Sequence, residues 1–92
     1  MEMTENQDIP KLSYPCAYPI KVVGEHTDDF LAVIVAIVQQ HDPQVKKEEV
    51  RVRPSSKGRY VSLHIVFTAQ GPDHIAALHA DLRASGRVQI VL

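Results

Sequence analysis

A single α+β sandwich is predicted by three features of the sequence. Short segments alternate apolar and polar side chains, two longer segments repeat apolar residues at helical spacing, and a Pro-Ser-Ser-Lys-Gly turn joins two of the alternating runs. Read in order, the elements are strand, helix, strand, strand, helix, strand. With 92 residues there is room for one core and no second domain.

The first twelve residues, 1–12, lack periodicity and carry Glu2, Glu5 and Asp8, so a flexible acidic tail is expected ahead of one domain over 13–92. From Tyr18 to Val23 the chain reads as a strand, with Ile20 and Val22 inward. Pro19 suits its first residue because a proline cannot donate within a ladder, and Gly24 is expected to end it. Thr27, Asp28 and Asp29 resemble a helix start, a hydroxyl to accept an orphan amide followed by carboxylates at the positive end of the dipole. The helix should run to about His41, with Phe30, Ile34, Ile37 and Val38 inward and Pro43 beyond its end. Its many β-branched residues favour a strand locally, but length and spacing favour a helix.

Glu49 to Arg53 alternates with Val50 and Val52 inward, and Tyr60 to Ala69 alternates with Val61, Leu63, Ile65 and Phe67 inward. Pro54 to Gly58 between them predicts a hairpin. Pro72 suits the first position of a second helix, Asp73 its first turn, and Gly86 the residue just past its end. Ile75, Leu78, His79 and Leu82 form that helix's inner stripe. A last strand, Val88 to Leu92, should turn Val88, Ile90 and Leu92 inward. This order is the ferredoxin-like βαββαβ plan: a four-stranded antiparallel sheet, order 4-1-3-2, with both helices on one face. The other face is left open, displaying Lys21, Val23, Arg51, Arg53, Ser62, His64, Val66, Gln89 and Val91.

Composition excludes several classes of function. Ten Lys and Arg nearly balance eleven Asp and Glu, so the chain as a whole has no strong attraction for nucleic acid or anionic membrane. Six of those ten (Lys46, Lys47, Arg51, Arg53, Lys57 and Arg59) nevertheless fall between positions 46 and 59. The longest apolar run, Phe30 to Val38, is far short of the roughly 20 residues a membrane span needs. The polar, acidic start is unlike a secretory signal. The single Cys16 has no internal disulfide partner and suits a reducing cytoplasm. So small a domain has little area for a deep catalytic pocket, and binding or regulation is expected instead of enzymatic activity.

In the segments Tyr14 to Gly24 (Tyr-Pro-Cys-Ala-Tyr-Pro-Ile-Lys-Val-Val-Gly), Arg53 to Tyr60 (Arg-Pro-Ser-Ser-Lys-Gly-Arg-Tyr) and Val88 to Leu92, the chain resembles the YbeD-like family of small bacterial proteins of unknown function. The resemblance covers roughly Tyr14 to Leu92, and the Pro-Ser-Ser-Lys-Gly turn is its most specific part. It implies a fold close to the ACT-type domains that sense small molecules. It also implies a link to lipoate metabolism, since such genes often neighbour a lipoyl-protein transferase gene. ACT domains bind ligand near the loop after the first strand, which points to Gly24, Glu25 and His26 as ligand-binding residues. The further glycine typical of amino-acid-sensing members is absent there.

A second candidate surface gathers Lys21, Arg51, Arg53, Ser55, Ser56, Lys57, Arg59 and His64 for an anion or a partner. The amides of the Pro54–Gly58 turn could form a concave donor site; the competing role is a plain hairpin in which Gly58 takes positive φ and the serines bond locally. A nucleic-acid platform on the same surface is the alternative function. Outward aromatics for base stacking are missing at the centre of the third strand, where Ser62 and His64 stand, and this argues against it. Cys16 reads as a packed thiol. The five histidines are too scattered for a metal site, and no cofactor is expected. The function expected is a regulatory or adaptor domain that binds a protein partner or a small metabolite. It could self-associate as a homodimer through the first helix or through a sheet contact burying Val23, Val66 and Val91.

Overall fold

The structure is a computed structural model describing residues 13–92; the acidic tail expected for residues 1–12 lies outside the described residues. Strand β1 (Cys16–Glu25) is followed by helix α1 (Phe30–His41), a 3-10 turn (Lys47–Glu49), β2 (Arg51–Pro54), β3 (Tyr60–Ala69), α2 (Pro72–Ala84) and β4 (Val88–Val91). All strand pairs are antiparallel, in the order β2-β3-β1-β4. This is the expected 4-1-3-2 sheet read from its other edge. Both helices cover one face, and the core fills the space between: Ile20 and Val22 from β1, Val61, Leu63, Ile65 and Phe67 from β3, Phe30, Ile34 and Val38 from α1, Leu78 and Leu82 from α2.

Burial decides α1. Its β-branched residues disfavour a helix locally, but Phe30, Ile34, Val35 and Val38 are buried. Each side chain removed from water contributes about 1.5–3 kcal/mol, against a few tenths lost per β-branched residue in helix propensity. The helix begins at Phe30, later than expected, with Asp29 at the N-cap and no side-chain cap bond. The Thr27 hydroxyl does not cap an amide; it donates to Asp29 Oδ1 at 2.9 Å. At the other end, buried Asp42 accepts from the amides of Thr68 (2.8 Å) and Gln44 (3.1 Å), fastening the end of α1 to β3.

Three strand readings change. β1 starts at Cys16, so Pro19 lies within it, paired with Val66. Lys21 exchanges backbone bonds with Leu92. The backbone of Pro19, two residues earlier, therefore turns to the same side, beyond the reach of β4, and its missing N–H costs the ladder nothing. Gly24 does not end β1 but lies buried inside it, opposite Val61 and Val88. In β2, Val52 faces the helices, since it pairs with fully buried Leu63, yet it is 46% exposed. β2 is an edge strand that α1 does not cover, whereas Val50 just before it is half-buried.

The third change is in β4. Val22 pairs with Val91 and Val23 with Ile90, but Gly24 pairs with Val88, so Gln89 is an extra residue in a β-bulge. The bulge reverses the alternation. Val88 and Val91 pack against the core, and Ile90 and Leu92, expected inside, are on the open face, 51% and 68% exposed. Helix α2 matches its sequence signals, with Pro72 at its first turn and Gly86 just past its end at φ +74°.

Candidate functional site

The register arranges the uncovered sheet face in rows. Lys21 pairs with His64, which pairs with Arg51, and Leu92 bonds to Lys21 through the backbone from the other side. One row therefore runs Leu92, Lys21, His64, Arg51 across all four strands. The next runs Ile90, Val23, Ser62, Arg53. With strands about 4.8 Å apart, each row passes from an apolar end on β4 to a guanidinium on β2 within roughly 14 Å. Val66, 60% exposed, lies beside Pro19 in the middle of the face.

Shallow depressions on this face are lined by Lys21, Glu49, Arg51, His64, Val66 and Leu92 in one case and by Arg51, Arg53, Pro54 and His64 in another. Among the described residues, none of Lys21, Arg51 and Arg53 is paired with a carboxylate. Uncompensated cations beside exposed aliphatic side chains suit a partner that carries both carboxylates and apolar groups.

The hairpin turn is largely bonded to itself. The Ser55 amide donates to the Tyr60 carbonyl at 2.8 Å, the Gly58 amide to the Ser55 carbonyl at 2.9 Å, and the Tyr60 amide to the Ser55 hydroxyl at 3.2 Å. Gly58 takes φ +73°. These bonds are those of a structural hairpin, and they occupy Ser55. Ser56 and Lys57 project from the turn, exposed, while the Arg59 guanidinium rests 5.6 Å from the centre of the Tyr60 ring. The turn therefore lies at the end of the basic edge.

The loop after β1 is organised around Arg87, a residue the sequence did not single out. Its Nη2 donates to Asp29 Oδ1 at 2.5 Å and to the Thr27 hydroxyl at 2.7 Å, and its Nη1 reaches Asp29 Oδ2 at 3.3 Å. The guanidinium, and after it the Thr27 hydroxyl, hold the Asp29 carboxyl down at about 2. The same contact raises Arg87 above its ordinary value. Polar groups that could have met a ligand after β1 are thus engaged in tying β4 to the start of α1. Of the three residues expected there, Gly24 is buried beneath the Phe30 ring, the His26 amide bonds the Arg59 carbonyl at 2.9 Å, and only the side chains of Glu25 and His26 are exposed.

Tertiary packing gathers two of the scattered histidines. His41 meets Asp81 at 2.7 Å, and the His41 and His74 rings are 5.8 Å apart. His74 Nδ1 accepts from the Gln70 amide, so its Nε2 carries the proton and donates to the His41 carbonyl at 2.8 Å. Both nitrogens of His74 are therefore taken by the fold. Cys16 is half-buried against the core.

Open-face residues Ile90 and Leu92 escaped the sequence reading because four of the five residues Val88 to Leu92 are apolar, and such a run does not say which face each occupies. Arg87 escaped because its partner Asp29 is 58 residues away.

A family model described as "Protein of unknown function (DUF493)" matches residues 10–92. A UPF0250 protein of Pseudomonas aeruginosa strain PAO1 is 45% identical over 93 residues, covering 98% of this chain and 100% of the relative. One from Azotobacter vinelandii is 42% identical over 84 residues, covering 90% and 91%. Among solved structures, the solution structure of HP0495 from H. pylori superposes with a TM-score of 0.77 at 14% identity, over 100% of this chain and 97% of that one. The ACT domain from the GTP pyrophosphokinase of Chlorobium tepidum gives 0.64 at 17% identity, over 83% and 92%. At such identities the likeness is one of fold. The family resemblance read from the sequence and the ACT-like sandwich it implied are both met.

Proposed function

Since the chain belongs to the DUF493 family, whose model matches residues 10–92, we propose that it is a regulatory or adaptor domain that binds a protein partner on its uncovered sheet face. The observation that supports this reading is the pair of rows on that face, which lead from Ile90 and Leu92 to Arg53 and Arg51 without an acidic side chain among them. A surface graded from apolar to cationic offers both area to bury and charge to orient the partner.

The role is binding, not catalysis. A metabolite at the loop after β1 is the weaker alternative, because Arg87 already occupies Thr27 and Asp29. Nucleic acid is weaker still, since Ser62 and His64 stand where stacking aromatics are needed. A cytoplasmic setting belongs to the same reading and fits a lone cysteine. The lipoate connection implied by the family makes lipoyl-protein transferase the first partner to look for.

A photo-crosslinking side chain placed at Val66 or Ile90, and as a control at Ala77 on α2, tests the reading in the native cell. All three positions are exposed. A discrete crosslinked protein from the sheet positions and none from Ala77 is expected, and its mass-spectrometric identity reads out the lipoate connection. Equal capture from all three positions, or none from the sheet, would sink the proposal.

A further inference from the structure

The β2 edge has three properties that together describe an occupant. First, among the described residues nothing pairs with its outer backbone groups. The Ser55 amide bonds the Tyr60 carbonyl, which sets the antiparallel alternation: Arg53 and Arg51 direct their backbone groups to β3, at Ser62 and His64, and Val52 directs its N–H and C=O away from the sheet. Second, it has a mostly apolar groove. Val52, on the helix side of the strand, lines a groove of about 250 Å³ with Phe30, Leu31, Val61 and Leu63, and His26, Thr27 and Asp28 complete its lining. Third, Arg51 and Arg53 flank Val52 on the open face.

A second copy of the chain does not fit this edge. An antiparallel pairing about Val52 would set Arg51 directly opposite Arg53 of the copy, twice over, and like charges directly opposite are destabilising. Lysines and arginines on an edge act against self-pairing for this reason. The same geometry welcomes a strand with an apolar residue opposite Val52 and carboxylates on both sides of it. The apolar side chain would enter the groove, and the carboxylates would lie across from Arg51 and Arg53.

We propose that the β2 edge of this domain accepts an extended acidic-apolar-acidic segment of a partner protein as a fifth strand. This rests on the partner-binding reading above and names the part of the partner that is held. Pro54 closes the pairing at one end, because it has no N–H to offer. The captured segment is therefore short, and the charges and groove supply most of its selectivity.

The test uses two capped synthetic peptides with identical threonine flanks, one with a Glu-Val-Glu centre and one with Lys-Val-Lys, titrated into the isotope-labelled full chain. The acidic peptide should slow hydrogen exchange at the Val52 amide, shift Leu31, Arg51 and Arg53, and bind on the order of tenfold more tightly than the basic one. Charge reversal by Arg51→Glu with Arg53→Glu, both exposed positions, should invert the preference. Equal binding of the two peptides, shifts centred on Val23 and Ile90 with Val52 exchange unchanged, or no binding of either would overturn the fifth-strand proposal. Crosslinking from Val66 and Ile90 would still be expected in each of those cases if the face itself binds a partner, so the two proposals fail separately.

Discussion

Gly24→Ala should damage this domain severely although it adds one methyl group. A Cβ at Gly24 would lie closer than 3.0 Å to Cε1 and Cζ of Phe30 and to the Arg87 carbonyl oxygen, where carbon contacts normally settle at about 3.5–4.0 Å. Neither neighbour is free to retreat. Phe30 is 1% exposed and belongs to the buried cluster with Ile34, Val61 and Leu63, and the Arg87 carbonyl is backbone just before β4. Overpacking of a core costs about 1–3 kcal/mol, and displacing β4 from Gly24 weakens the adjoining Val23–Ile90 pairing, whose backbone bonding is worth about 1 kcal/mol more. A total of about 2–4 kcal/mol lowers Tm by roughly 10–25 °C in a domain of this size. Thermal and urea unfolding followed by circular dichroism would measure it. Phe30→Leu should rescue only part of the loss, since the backbone oxygen remains in the way. A loss below about 0.5 kcal/mol, or full rescue by Phe30→Leu, would refute this account of why a glycine stands inside β1.

Two further predictions concern ionisable groups. The Arg87 guanidinium, with the Thr27 hydroxyl, holds Asp29 at about 2 against an ordinary 3.8, so the contribution of these contacts to stability is complete above 3.8 and fades as the pH falls through 2; in Arg87→Ala, carbon-detected NMR titration should find the Asp29 midpoint raised toward 3.8, and a midpoint unmoved would show that another group sets it. His79 has its Nε2 buried without a hydrogen-bond partner among the described residues, and burial, helped by Arg83, pushes its pKa below 6.5. The associated stability is therefore full above 6.5 and declines as the pH drops and the unfolded chain takes up the proton more readily. His79→Leu should stabilise the domain by about 1 kcal/mol at neutral pH and flatten that decline, as chemical denaturation across the pH range would show.

Much of the architecture was legible because it depends on signals within a few residues of each other. Gly58 and Gly86 stand where the backbone takes φ +73° and +74°, Pro72 opens α2, and the alternation from Tyr60 to Ala69 matches a strand with every second residue buried from Val61 to Ala69. Local signals failed where a distant neighbour decided the outcome. Thr27 has the chemistry of a helix cap, but the Arg87 guanidinium engages it and Asp29 together. Val52 has the pattern of a core residue, yet α1 does not extend over the edge strand that carries it. The facing of each residue followed the sequence reading on β1, β2 and β3, where one residue in two faces outward, and departed from it on β4, where the bulge at Gln89 exchanged the places of Ile90 and Val91.

The order of elements, the hairpin turn, the bounds of α2, the single core and the concentration of basic residues around β2 were determined by the sequence alone, because periodicity and backbone preference act over one or two turns of chain. Tertiary structure alone decided that Gly24 must remain a glycine, that Arg87 closes the loop after β1, and that Ile90 and Leu92 share a face with Arg51 and Arg53. Each of those outcomes depends on which strand or helix comes to rest against a residue far away in the chain, and steric fit and charge pairing at that distance leave no periodic mark in the sequence.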